Sequence, residues 1–359
     1  MCTERAIPLI EGPYLRDLLL QPDSLRAAVA GVASATSAAA VMRDVHRGRF
    51  SRVVLTGMGS SFYALYPLHL ALSDMGLHSV WVETSELLHG FIGTGSGGDD
   101  ALLVAVSQSG ESAEIVQLTS RARRFGHVIG ISNDPSSTLG RAADTLLPLN
   151  AGPEATVSCK TYIATLAVLH WLARAMEHDD LTGTLADLET ARIAVAGHLA
   201  NWRDHVAQWR QLVDGVDAVF VTGRGVSLAT AGTGGLILKE STGRPAEGMS
   251  CAAFRHGPLE MAGNQTLVLI FAGDPITAPL NAALYDDIIR GGGHAALIHS
   301  AAADNDNGQT SPFRIPAVAS ALRPLVEILP VQMLSLAIAA RDGREAGRFT
   351  RASKITTVN

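Results

Sequence analysis

Charge is scarce in this sequence: Asp, Glu, Lys and Arg make up only 17% of its residues, and 28 basic side chains against 34 acidic ones leave a net charge of −6. No basic run occurs anywhere. That combination excludes a nucleic-acid-binding surface, so an anionic ligand has to be held by local donors, not by a global field. Cysteine is scarcer still. Cys2, Cys159 and Cys251 are far apart and odd in number, which gives neither a disulfide framework nor a zinc pattern. The start, Met1-Cys2-Thr3-Glu4-Arg5, lacks the apolar run of a signal peptide. No uncharged apolar stretch reaches the roughly 20 residues that a membrane helix needs. The expectation is a cytoplasmic protein with no membrane and no nucleic-acid partner.

What is present is apolar surface. Hydrophobic residues form 47% of 359, enough for two cores of ordinary domain size and too much for a disordered chain. Gln21-Pro22-Asp23-Ser24-Leu25 reads as a turn and helix start, followed by an Ala-rich helical pattern from Ser24 to about Arg49. The rhythm then changes. Val53-Val54-Leu55, Val80-Trp81-Val82, Ala101 to Val106, Val128 to Ile131 and Leu146-Leu147 are short apolar runs alternating with helical segments. Such runs read as strands of a parallel sheet covered on both faces. A long helix from about Thr161 to Met176 closes the unit.

The same grammar then returns. Val219-Phe220-Val221-Thr222-Gly223-Arg224-Gly225 echoes Val53-Val54-Leu55-Thr56-Gly57-Met58-Gly59, and His294-Ala295-Ala296-Leu297-Ile298 echoes His127-Val128-Ile129-Gly130-Ile131. Both offsets are about 166 residues, which indicates a duplicated domain. The expected boundaries are an N-terminal helical segment over 1–45, a first domain over 46–185 and a helical linker over 186–213. A second domain over 214–345 and a C-terminal tail over 346–359 complete the chain. Asp304-Asn305-Asp306-Asn307-Gly308 reads as a polar surface loop, and the last helix as Pro324 to Arg341.

Ser107-Gln108-Ser109-Gly110-Glu111-Ser112 lies between a buried strand and a helix start. Ligands of open parallel sheets bind beyond the carboxyl ends of strands, and unpaired N–H groups at helix starts favour phosphate. The serine hydroxyls and the Gln108 amide add neutral donors, while Gly110 lets the backbone come close. Gly57-Met58-Gly59-Ser60-Ser61 offers the same equipment one strand away. Two capped turns are the plain alternative, with serines merely closing helix ends; two such loops at neighbouring strand ends favour one shared phosphate site.

These two loops resemble the signature loops of SIS domains. Glu154-Ala155-Thr156-Val157-Ser158-Cys159-Lys160-Thr161 is similar to the family's third loop. The resemblance continues through Lys239-Glu240 and Ala253-Phe254-Arg255-His256-Gly257-Pro258-Leu259-Glu260 to Lys354-Ile355-Thr356. By motif it is nearest to the isomerase half of glucosamine-6-phosphate synthase and to SIS-type amino-sugar-phosphate deaminases. It implies an α/β protein of two tandem SIS domains, each a doubly wound αβα sandwich on a five-stranded parallel sheet. It also implies a homodimer with shared active sites and a hexose or amino-hexose 6-phosphate as partner. Ser60, Ser61, Ser107, Gln108, Ser109 and Ser112 would hold the phosphate, and Val157 and Ser158 would touch the sugar. Glu240 would move a proton between C1 and C2 through an enediol or enolamine. His256, from the partner subunit, would open the ring, and Lys354 would sit over the open-chain sugar.

The residues themselves permit plainer readings. Glu240 follows Leu236-Ile237-Leu238, where desolvation would raise its pKa as a base requires, or it pairs with Lys239. His256 equally reads as a structural histidine, Lys354 as a solvated lysine, Arg255 as a phosphate ligand or a salt bridge, and Glu86 as a pocket wall or part of a helix cap. Three departures from the synthase stand out: Ile237 where it carries a lysine, Phe349 where its tail carries a proline, and no stretch before Gly57 for its glutamine-using domain. Cys2 then reads as incidental, and no glutaminase activity is expected. The reaction expected is aldose–ketose isomerisation or ammonia release, needing neither metal nor organic cofactor. A phosphosugar sensor without turnover and a fructosamine-phosphate deglycase are the alternatives.

Overall fold

The computed structural model describes residues 10–90, 97–300, 313–351 and 353–356; Cys2 and the loop Asp304–Gly308 lie outside them. The chain opens with α1 (Pro13–Leu19), α2 (Gln21–Val32) and α3 (Thr36–His46). β1 (Arg52–Gly57), α4 (Ser60–Ala64), α5 (Tyr66–Asp74), β2 (Ser79–Glu83), α6 (Thr84–His89) and β3 (Gly98–Val106) follow. Next come α7 (Ala113–Thr119), β4 (Phe125–Ser132), α8 (Thr138–Ala142), β5 (Thr145–Pro148) and α9 (Lys160–Glu177). α10 (Thr182–Ala200) and α11 (Trp202–Arg210) lead to β6 (Ala218–Gly223), α12 (Ser227–Thr242), β7 (Ala246–Ser250) and α13 (Cys251–Arg255). β8 (Thr266–Phe271), α14 (Ala278–Arg290), β9 (His294–Ser300), β10 (Arg314–Ile315) and α15 (Arg323–Arg341) complete the fold.

The strands form two five-stranded parallel sheets, ordered β2-β1-β3-β4-β5 and β7-β6-β8-β9-β10. The orders are identical once the second is numbered from β6, which is the duplication seen as topology. All five sequence-read strands of the first half are present, each extended by a residue or more at one or both ends. Two helical stretches are broken. Ser34 Oγ turns back onto the Gly31 carbonyl at the join of α2 and α3, a local bond that competes with the helix. Pro67, with its fixed φ and no N–H, opens α5 and so ends α4.

Period-2 alternation divides the first sheet between two cores. Val53, Leu55, Leu102, Val104 and Val106 face the large central core, whereas Val54, Leu103 and Ala105 face a small outer one with Ile115 and Leu118. The second sheet does the same: Val219, Val221, Leu267 and Leu269 face the centre, and Phe220, Val268 and Ile270 face Phe254, Leu284 and Ile288. The central core belongs to both modules, because α9, α12 and α15 contribute to it together. α9 and α15 are buried on nearly every side, which is why their sequences are apolar all round. Among the described residues the segment Ser320–Arg341 is long and apolar enough to cross a membrane, although Arg323 and Glu327 keep it from being an uncharged stretch. Within the fold, 89% of its apolar window is buried, as in a core helix.

Candidate active site

The loop after β1 turns at Gly59, whose φ of 53° lies where only glycine is comfortable. A Cβ there would stand 3.3 Å from Leu236 Cδ2, so this loop abuts α12 one turn before Glu240. Ser60, buried, and Ser61, half-buried, then open α4. The loop after β3 is shaped by its own serines. Ser107 Oγ accepts from the Gly110 N–H at 3.1 Å, and Ser109 Oγ from the Glu111 N–H at 3.2 Å. Gly110 has φ 66°, and a Cβ on it would fall 2.1 Å from Ser137 Oγ. Ser112 stands at the N-cap of α7 without capping it. Among the described residues the side chains of Ser60, Ser61, Gln108 and Ser112 have no hydrogen-bond partner, so their donors are uncommitted. None of these serines closes a helix end: Ser107 and Ser109 satisfy backbone N–H groups within their own loop, and α4 and α7 have no side-chain cap.

The third loop is clamped by two acids. Glu154, its side chain wholly enclosed, accepts at Oε1 from the N–H groups of Cys159 (2.9 Å) and Thr161 (3.1 Å). Its Oε2 accepts from Thr161 Oγ1 (2.7 Å) and from Lys354 Nζ (2.8 Å). It thereby satisfies the start of α9 and binds the C-terminal tail at once. Asp17 of α1 accepts from the Ala155 N–H at 2.7 Å and pairs with buried Lys160 at 2.9 Å. Val157 is fully buried and presents no surface to a ligand, while Ser158 is half-buried with its Oγ 3.1 Å from Thr161 Oγ1.

The tail crosses all of this. Lys354 also donates to the Thr156 carbonyl at 2.5 Å, the Thr356 carbonyl accepts from the Ala113 N–H at 3.0 Å, and Gly347 N–H donates to Ser241 at the end of α12. Lys354 is therefore a paired cation, only partly open to solvent.

Glu240 lies in the last turn of α12. Burial, with a smaller push from nearby Glu154 and against the lowering pull of Lys354 and Lys239, raises its carboxyl to about 7. Lys239 is exposed and turns to Glu247 at 3.6 Å, so it is not the partner of Glu240. The structure thus brings together the first two loops, the third loop, Glu240 and Lys354. His256 stands apart: it is exposed after α13, and among the described residues no hydrogen bond or ion pair joins its ring to that cluster. Arg255 pairs with Asp287 at 2.7 Å, the salt-bridge reading. Cys159 and Cys251 are buried free thiols, and among the described residues no cluster of His, Cys, Asp or Glu is placed to hold a metal. Glu154 and Asp17 were missed as site residues. Glu154 precedes α9 by six positions, outside any local capping spacing, and Asp17 is 138 residues from the amide it holds.

Two duplicated open α/β modules, each on a five-stranded parallel sheet, define a two-module protein of the doubly wound class. A sequence profile described as the SIS domain matches residues 50–175 and 215–340, and the chain belongs to the SIS-domain family. The glutamine–fructose-6-phosphate aminotransferase (isomerizing) of Pyrococcus horikoshii is 29% identical over 360 residues, covering 96% of this chain and 57% of that protein. The chain thus spans little more than half the length of this curated relative. The C-terminal domain of glucosamine-fructose-6-phosphate aminotransferase from Francisella tularensis superposes with a TM-score of 0.82 at 20% identity, over 94% of this chain and 98% of that one. A candidate phosphosugar isomerase from Silicibacter pomeroyi DSS-3 gives 0.76 at 25% identity, over 93% and 99%.

Proposed function

We propose that the chain is an aldose–ketose isomerase or deaminase of a hexose or amino-hexose 6-phosphate, with Glu240 as the proton-transferring base. The observation that carries this reading is a half-buried carboxylate with a pKa of about 7, placed among donor-rich loops beside a fixed lysine. A general base works best with a pKa near the working pH. The uncommitted donors of Ser60, Ser61, Gln108 and Ser112, with Ser107 and Ser109, take the phosphate. Lys354 has spent two of its three N–H donors on Glu154 and Thr156, and the third serves the oxygen of the open-chain sugar. Glu240 then takes a proton from one carbon and returns it to the next, through an enediol or an enolamine. Val157, being enclosed, gives the sugar no contact in this arrangement, which leaves Ser158 as the third loop's donor. The exposure of His256 fits a histidine supplied to the site of a second copy, where it would open the sugar ring. The names of the relatives support the same chemistry: one is an isomerizing glutamine–fructose-6-phosphate aminotransferase and another a candidate phosphosugar isomerase.

The test is a panel of hexose and amino-hexose 6-phosphates in deuterated water. Ketose formation, ammonia release and incorporation of deuterium at C1 or C2 are followed together. Ketose without ammonia assigns the isomerase, and ammonia assigns the deaminase. Tight binding of several sugar phosphates with no exchange in any of them defeats the enzyme and leaves a sensor.

A further inference from the structure

A second cavity lies at the other end of α12 from Glu240. The helix runs from Ser227 to Thr242, so its ends are about 24 Å apart. The cavity holds about 400 Å³ and is reached by the loops after β6 and β8, through Gly225, Val226 and Asp274. Those loops diverge where the strand order of the second sheet reverses, with β7 on one side of β6 and β8 on the other. This is the place where open α/β sheets bind their ligands, and the volume suits a small organic molecule.

Its chemistry differs from that of the first module. Ser227 Oγ is spent on the buried Glu327 at 2.8 Å, and Arg224 Nε on Asn281 Oδ1 at 2.9 Å. Asp274 lies on the wall where the first module has serines, paired with Arg323 at 2.8 Å. A phosphate entering here meets a carboxylate and finds no free hydroxyl. The opposite wall comes from the first module, from Leu68 and Met75 by α5 and Leu169 of α9. Two polar side chains on this wall are unspent. His170, mostly buried, is held neutral because burial lowers its pKa to about 4, and its ring has no hydrogen-bond partner among the described residues. Asp74, at the exposed rim, has no ion-pair or hydrogen-bond partner among them either. Arg174, the cation on this wall, is already paired with Glu177 at 2.6 Å.

We propose that this seam cavity is a second small-molecule site that takes a compact apolar body carrying a protonated amine. The leucine and methionine wall covers the body, Asp74 receives the ammonium, and the His170 ring bonds a polar atom of the body. The site does not depend on the sugar-phosphate reading, since it shares no residue with it.

Tryptamine and indole-3-acetate share a ring system and differ in the sign of their charge, and they probe the site directly by calorimetry on the full chain. Tryptamine is expected to bind saturably, at least tenfold more tightly than indole-3-acetate. Asp74→Asn, an exposed and structurally mild change, is expected to remove most of that difference, and His170→Leu to weaken tryptamine by a further factor of several. Glu240→Gln should leave tryptamine binding unchanged. No saturable binding of tryptamine at millimolar concentration, equal binding of the two probes, or indifference to both Asp74→Asn and His170→Leu overturns the proposal.

Discussion

The carboxylate of Glu154 and the ammonium of Lys354 meet at 2.8 Å across 200 residues of sequence, the carboxylate wholly enclosed and the lysine 24% exposed. The C-terminal tail is thereby tied to the loop that opens α9. Removing the lysine leaves a buried carboxylate without its cation. Stripping one member of a fully buried pair costs about 3–5 kcal/mol, but Glu154 retains three other donors and Lys354 is partly solvated. Lys354→Met is therefore expected to cost less, about 1–2 kcal/mol, which for a chain of this size is a fall of about 1–3 degrees in melting temperature. A melt identical to that of the unaltered protein would show that the pair contributes nothing.

Glu240→Gln keeps the size of the side chain and removes its basic lone pair. Sugar-phosphate affinity should stay near normal, because the serine loops are untouched. Turnover and C1 or C2 proton exchange should fall by about 10²–10⁴-fold, the usual contribution of a general base. Full exchange in the variant removes Glu240 from the mechanism and leaves the enzyme without its assigned base.

Because the base must be deprotonated to act, activity should rise with pH and level off above about 7, the value to which burial pushes Glu240. Lys354 lowers that value, so its removal moves the acid limb of residual exchange to higher pH. Residual exchange in Lys354→Met is followed from pH 5 to 9. An acid limb that stays in place, or moves down, contradicts the coupling.

The loop after β3 can be tested without chemistry. Ser109 accepts from the Glu111 N–H through its oxygen, which leaves its own proton for a phosphate. One hydrogen bond to a charged group contributes about 1.5–3 kcal/mol, so Ser109→Ala should weaken glucose 6-phosphate by about 10- to 100-fold. Gly110→Ala should do worse and also destabilise the fold, since its methyl would fall 2.1 Å from Ser137 Oγ at a left-handed φ. Calorimetry showing equal affinity for all three proteins rejects the loop as the phosphate site.

Glu327 offers a test of stability against pH. It is fully buried, takes hydrogen bonds from Ser227 (2.8 Å) and Thr230 (3.3 Å), and burial raises it to about 7. The folded pKa lies above the unfolded one of about 4.3. Its contribution is therefore complete below that unfolded value and is lost as pH rises toward 7. Glu327→Gln mimics the protonated form. Its stability relative to the unaltered protein should climb between pH 5 and 7, by at most about 1.4 kcal/mol per pH unit, and be constant above. Denaturant melts showing a constant difference across that range would rule this out.

Much of the fold was legible because parallel strands covered on both faces need unbroken apolar runs. Ala101 to Val106 and Val128 to Ile131 are such runs, and the echoes of Val53–Gly59 and His127–Ile131 after the linker exposed the duplication. The breaks at Ser34 and Pro67 were not read, since a helical period runs across both. The serine loops were legible as loops because glycine and serine punctuate strand ends. The roles of Glu154 and Asp17 were not legible. Each holds a partner through a distance in sequence that no local spacing reports, and both look like ordinary loop or helix acids. Buried acids of this kind become visible only when the third loop, the first helix and the tail are seen together.

The central core joins α9 of the first module to α12 and α15 of the second. That shared interior means that neither half owns the candidate site: the serine loops come from one, and the helix bearing Glu240 from the other. A gene cut in the linker would yield two products, each exposing half of an apolar interface and each chemically incomplete. The two copies therefore stand as one folding unit, since the helices that fill the interior come from both.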